Sequence, residues 1–111
     1  MSKFDDVVAK AAEQLAKVGV KADDALVRAI AKSQGPSIYL RDASLVSCGD
    51  DAELKRVEDN FLVKKLGVTD KAAIKKALDS ACAKFKDVRQ KMRVAFYYVL
   101  VKELKKESFF S

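Results

Sequence analysis

Apolar positions recur every three or four residues along most of the chain, the spacing that lines one face of a helix. Phe4, Val7, Val8, Ala11, Ala12, Leu15 and Val18 predict a first helix. Ser2 can cap it, Asp5 and Asp6 sit where the positive end of the helix dipole favours acids, and Gly19 ends it. A second, shorter helix begins at Asp23 or Asp24 and turns Leu26, Val27, Ile30 and Ala31 inward. Gly35-Pro36 stops it, because proline has no amide to donate and disfavours helical dihedrals in the residue before it.

From Gly35 to Gly49 the helical period lapses, and turn formers mix with Ile38, Tyr39, Leu40, Leu45 and Val46. This predicts a structured loop with one helical turn near Asp42 to Leu45. Its apolar residues suit a plug for one end of a bundle, and loops held on a rigid scaffold often carry function. Asp50 followed by Glu53 has the spacing of a capping box and starts a third helix, with Leu54, Val57, Phe61, Leu62 and Leu66 inward and Gly67 as a left-handed stop. Thr69 is the expected cap of a fourth helix, which carries Ala73, Ile74, Ala77, Leu78, Ala81, Cys82 and Phe85 on one face.

The last helix, about Asp87 to Glu107, is apolar nearly all round: Val88, Met92, Ala95, Phe96, Val99, Leu100 and Leu104 form its main stripe, with Val94, Tyr97, Tyr98 and Val101 beside it. Such a helix is normally surrounded by others. The expected fold is therefore all-α, one domain over residues 1–111, a compact bundle of about five helices with a central hydrophobic C-terminal helix. The Phe109-Phe110 tail either folds back or forms a small sticky end.

Composition agrees with a globular domain, since half of the 111 residues are hydrophobic and 34% are charged. The longest apolar run, Val94 to Val101, falls well short of the roughly 20 residues that span a bilayer, so no membrane role is expected. Histidine is absent, which removes the commonest general base and metal ligand. Cys48 and Cys82 form no CxxC pair and no disulfide framework; they fit a reduced, cytoplasmic setting. Cys82 reads as a small core residue. Cys48 has a faint nucleophilic case as it precedes the third helix, but Asp50 and Asp51 oppose a lowered thiol pKa and no base is at hand. Asp42, Asp50, Asp51 and Glu53 do not match a calcium-loop spacing. No catalytic residue, metal site or cofactor is expected.

Charge is divided along the chain. Residues 1–60 hold 9 basic and 11 acidic side chains, and residues 61–111 hold 13 and 5, so the net +6 sits in the second half. A field polarised in this way recruits anionic partners or lets chains pair head to tail, although lysines that merely solvate helix faces give the same count. The segment Leu62 to Leu78, LVKKLGVTDKAAIKKAL, looks like a helix-turn-helix. Against DNA reading, Val63 occupies a position normally kept small, and the second helix lacks Arg, Asn and Gln in its first two turns to read base edges. Lys86, Arg89, Arg93 and Tyr97 share one arc if the last helix runs unbroken, but arginines beside an apolar stripe more often pair with acids of a neighbouring helix.

GPSIYLRDASLVSCGDDAEL, then NFLVKKLG, then RVAFYYVLVKEL with its KKESFF ending, together resemble a family of small bacterial proteins known only as a domain of unknown function. The resemblance covers nearly the whole chain and implies an all-helical domain of roughly five helices with no assigned activity. The expectation is a non-enzymatic cytoplasmic protein acting through protein contacts, with a protein partner or a second copy. Its candidate interaction surface is Ser37, Tyr39, Arg41, Asp42 and Cys48. A nucleic-acid-binding module using Lys71, Lys75, Lys76, Lys86, Arg89 and Arg93 is the alternative.

Overall fold

In the computed structural model, residues 3–40 and 45–110 are described, the side chains of Pro36 and Ser37 excepted. Five α-helices occur among them: α1 (Lys3–Lys17), α2 (Asp24–Gln34), α3 (Asp51–Val57), α4 (Lys71–Lys84) and α5 (Arg93–Glu103). A two-stranded antiparallel ribbon joins β1 (Leu45–Val46) to β2 (Lys91–Met92), with Leu45 opposite Met92 and Val46 opposite Lys91. The expected helix cap at Ser2 lies outside the described residues, as does most of the expected helical turn at Asp42 to Leu45.

The core forms around α5. All eight residues from Val94 to Val101 are buried, and α1, α2, α4 and the ribbon pack against this helix. Val8, Ala11 and Leu15 come from α1, Leu26, Val27, Ile30 and Ala31 from α2, and Ile74, Ala77, Leu78 and Ala81 from α4. The all-α bundle and its central C-terminal helix are therefore as expected. Phe110 folds back beside Phe61, with ring centroids 6.5 Å apart, while Phe109 stays half exposed.

Several boundaries differ from expectation. The fourth helix is capped by Asp70, whose carboxylate accepts the amides of Ala72 and Ala73; a carboxylate beside the positive helix end gains charge stabilisation that the Thr69 hydroxyl would lack. At the third helix Asp50 caps as expected, accepting from Ala52 and Glu53, but its own amide bonds to Ser47 O and the Glu53 side chain is engaged elsewhere. That helix then widens into a π-helical turn over Glu58–Val63, with the amide of Leu66 reaching Phe61 O. The wider turn brings Phe61 and Leu62 to the core together.

The last helix begins six residues later than expected. Residues 86–90 form turns, and Lys91–Met92 are extended because their backbone groups pair with β1, which has no other strand beside it among the described residues. Val88 and Met92 still reach the core, which is why the helical period carries through a stretch that is not helical. At its other end α5 stops at Glu103, where Lys105 takes a left-handed backbone (φ 55°) and Lys106 donates to Val101 O, a Schellman-type ending. The segment from Gly35 is likewise more regular than a plain loop: Gly35–Tyr39 is a 3-10 turn, followed after residues 41–44 by β1.

A covalent bond ties this segment to the bundle. Cys48 and Cys82 form a disulfide with Cα atoms 5.8 Å apart, which corrects the expectation of two reduced thiols and of Cys82 as a plain core residue. Two residues 34 apart in sequence are brought together only by the fold, so spacing alone could not pair them. Closing a loop of this length restricts the unfolded chain by roughly 3–4 kcal/mol on an entropic account.

Tyr98 fastens the α1–α2 connection to α5. Its hydroxyl accepts from the Asp23 amide at 2.9 Å and donates to Lys21 O at 3.0 Å, and Asp23 in turn caps α2. Tyr98→Phe is expected to lower stability by about 1–2 kcal/mol, since both backbone groups lose their partner beneath a packed ring. Urea unfolding of the two proteins checks this, with an unchanged midpoint as the contrary result.

Candidate interaction surface

The polar centre of the molecule is Arg93, at the start of α5. Its guanidinium donates to Glu53 Oε1 from α3, to Leu45 O from β1 and to the Tyr97 hydroxyl one turn on, with its carbon 5.6 Å from the Tyr97 ring centre. Glu53 also accepts from Arg56. Only 16% of the Arg93 side chain and 13% of that of Glu53 are exposed. Burial raises the Glu53 carboxyl pKa, but hydrogen bonds from Arg56 and Arg93 outweigh it and hold the carboxyl below its ordinary value. Burial likewise lifts the Tyr97 phenol, against a smaller pull from Arg93. The Tyr97 ring stacks on Phe61, centroids 3.8 Å apart, so the network runs from α3 through α5 to the π-helical turn. Arg93 thus pairs with an acid of a neighbouring helix, as expected for an arginine beside an apolar stripe, and it positions the ribbon; buried in this way, it takes no part in an exposed basic arc.

The other basic candidates are scattered. Lys71 pairs with Glu58 at 2.8 Å and Lys75 with Asp79 at 3.0 Å. Lys76 is exposed on α4, whereas Lys86 and Arg89 are exposed on the turns before β2 and do not share a helix with Arg93. In the helix-turn-helix look-alike, the connection buries Leu66 and Val68.

Of the residues expected to form an interaction surface, Arg41, Asp42 and the side chain of Ser37 lie outside the described residues. Tyr39 is 46% exposed and Leu40 59% exposed. Cys48 is half-buried and bonded to Cys82, so the structure leaves no free thiol there.

Tyr39 opens onto a groove of about 620 Å³ between α1, the 3-10 turn and the ribbon. Val7, Ile38, Tyr39, Leu45 and Met92 supply its apolar lining, and Lys3, Asp6, Lys10, Glu13 and Lys17 border it. Gln14 sets its geometry. The Gln14 amide donates to Gln90 O and accepts from Met92 N, both at 2.9 Å, so one side chain occupies the free edge of β2 as a neighbouring strand would. Gln14 was invisible to hydrophobic patterning, because its partners lie 76 and 78 residues away. Glu53 was legible only as a cap, and its pairing with Arg93 across 40 residues needs the fold.

Among the described residues no group of three or more His, Cys, Asp or Glu side chains could hold a metal ion. No helix among them is long and apolar enough to cross a membrane.

These features define an all-α bundle that carries an open groove beside a disulfide-tied ribbon. The chain belongs to the family described as protein of unknown function DUF2853, whose profile matches residues 9–108. No curated protein matches it.

Arg93→Met leaves the mostly buried Glu53 with Arg56 alone as counter-charge and is expected to cost about 2–3 kcal/mol, below the roughly 3–5 kcal/mol of a fully buried pair. Because Glu53 has a lowered pKa when folded, its contribution is full above the ordinary carboxylate value near ~4.3 and is lost as pH falls toward the folded value. The stability gap between wild type and Glu53→Gln should therefore shrink between pH 7 and about pH 3. Denaturant unfolding at both pH values checks it, and a constant gap contradicts the pairing.

Proposed function

We propose that the protein is a non-enzymatic module that acts through protein contacts, and that the groove between α1 and the ribbon is its contact surface. The observation that carries this reading is the company Tyr39 keeps. Val7, Leu45 and Met92 are only half-buried in the same groove, so a partner has apolar surface to cover.

A second copy of the chain is the partner that suits the border of the groove. Lys3, Asp6, Lys10, Glu13 and Lys17 alternate in sign along α1, and none of them is ion-paired among the described residues. Elsewhere the matching spacing closes on itself, as in Arg28–Asp24 at 2.8 Å and Lys75–Asp79 at 3.0 Å. An antiparallel α1 placed with Asp6 facing Lys10 also sets Lys3 against Glu13, and the twofold axis repeats both pairs. Exposed ion pairs of this kind fix register more than affinity, which would come from Val7, Tyr39 and Leu40.

The nucleic-acid alternative has less behind it. Lys71 and Lys75 already have carboxylate partners, and Arg93 is held inside by Glu53. Binding through several phosphates would show as an affinity that falls steeply with salt.

Sedimentation over a range of concentrations is expected to show a monomer–dimer equilibrium. Lys10→Asp weakens it, Asp6→Lys added to Lys10→Asp restores it, and Val7→Asp abolishes it. A monomer throughout, or no response to these substitutions, contradicts the proposal.

A further inference from the structure

We infer that the Cys48–Cys82 bond is a reversible thiol–disulfide exchange site for a small thiol reductant of the glutathione class, and that its reduction frees the Ser47–Gly49 corner and α4 while the core stays folded.

Reach is the first requirement, and the structure meets it. Both cysteines are half-buried, and a recess of about 340 Å³ opens on Cys48, lined by Ser47, Gly49, Glu53, Arg89, Gln90 and Lys91 among others. Arg89 and Lys91 are cations in this lining, whose one carboxylate, Glu53, is neutralised by Arg93 and Arg56, while the exposed Asp50 and Asp51 follow beyond the recess. A thiolate is the attacking species in exchange, so this setting favours entry of an anionic sulfur.

Separation from the core is the second requirement. Neither cysteine is itself fully buried: both pack against the outside of the core, Cys82 at the margin of the α4 face whose Ile74, Ala77, Leu78 and Ala81 are buried. The α4 helix rests on α5 and is otherwise fastened by polar links, Lys71 to Glu58 and Ser80 to Glu103, besides the disulfide. The corner before α3 depends on a ribbon only two residues long. Breaking the bond thus removes the covalent tie between the corner and α4, leaving α4 held by its one apolar face on α5 and two polar links, with the packing of α1 and α2 on α5 in place.

The chemistry balances with two thiols. The first, as a thiolate, attacks Cys48 Sγ; the Cys48–Cys82 bond breaks, and Cys82 leaves as a thiolate that takes a proton from water. The second attacks the outer sulfur of the mixed disulfide, releasing Cys48 as a thiolate that is protonated in turn. Two electrons have then passed to the protein and the reductant has become its disulfide.

The test uses the folded, full-length protein without denaturant. It is incubated with glutathione and glutathione disulfide at a series of ratios, trapped with iodoacetamide and weighed by mass spectrometry, with hydrogen–deuterium exchange measured on the two end states. The expected result is full interconversion in both directions, with faster exchange confined to residues 47–49 and α4, and with α5 protection retained. Cys82→Ser should reproduce the exchange pattern of the reduced state. Three results would overturn the inference: no labelling until the protein is unfolded, thiols that glutathione disulfide fails to reoxidise, or a reduced state that loses protection throughout α5.

Discussion

Eight consecutive residues of α5, Val94 to Val101, leave that helix no side to turn to water, and the rest of the chain is arranged to cover it. Burying a large apolar side chain is worth roughly 1.5–3 kcal/mol, so exposing any flank of this helix would forfeit several such contributions. The constraint explains the unequal treatment of the elements. The α1, α2 and α4 helices each present one apolar face to the core around α5. The Leu45–Val46 and Lys91–Met92 ribbon covers a further edge of α5, and the 3-10 turn Gly35–Tyr39 packs on α1 and α2 beside it.

Coverage by a ribbon brings polar backbone close to the core, and side chains answer each resulting demand. Arg93 takes Leu45 O, Gln14 takes Gln90 O and the Met92 amide, and at the α1–α2 connection Tyr98 likewise takes the Asp23 amide and Lys21 O. Among the described residues no buried side-chain nitrogen or oxygen lacks a partner. The same device shapes the groove: because Gln14 blocks the strand edge, the groove offers side chains rather than backbone to an incoming protein, which suits contacts of apolar and charged groups over strand addition.

Patterning along the chain revealed those parts of the fold whose cause is local. Periodicity found five helices and the central one, and Gly19, Gly35 and Gly67, all with positive φ, mark the helix ends where they were expected. It failed where the cause is distant. Val88 and Met92 keep the helical period while sitting on a turn and a strand, so the period concealed the break before Arg93. Arg93, Glu53, Gln14 and the cysteine pair find their partners across 34 to 78 residues, a range over which spacing carries no information. Tyr39 could be singled out as an apolar residue in a segment with no helical period, but the groove behind it depends on α1 and β2 meeting.

Native-state hydrogen exchange read residue by residue is the most direct test of the enclosed helix. The amides of Tyr97 to Val101 should exchange only through global unfolding, with opening free energies equal to that of the whole molecule and above those of α3 and α4. Exchange of these amides by local opening, at free energies below those of the flanking helices, would contradict the account.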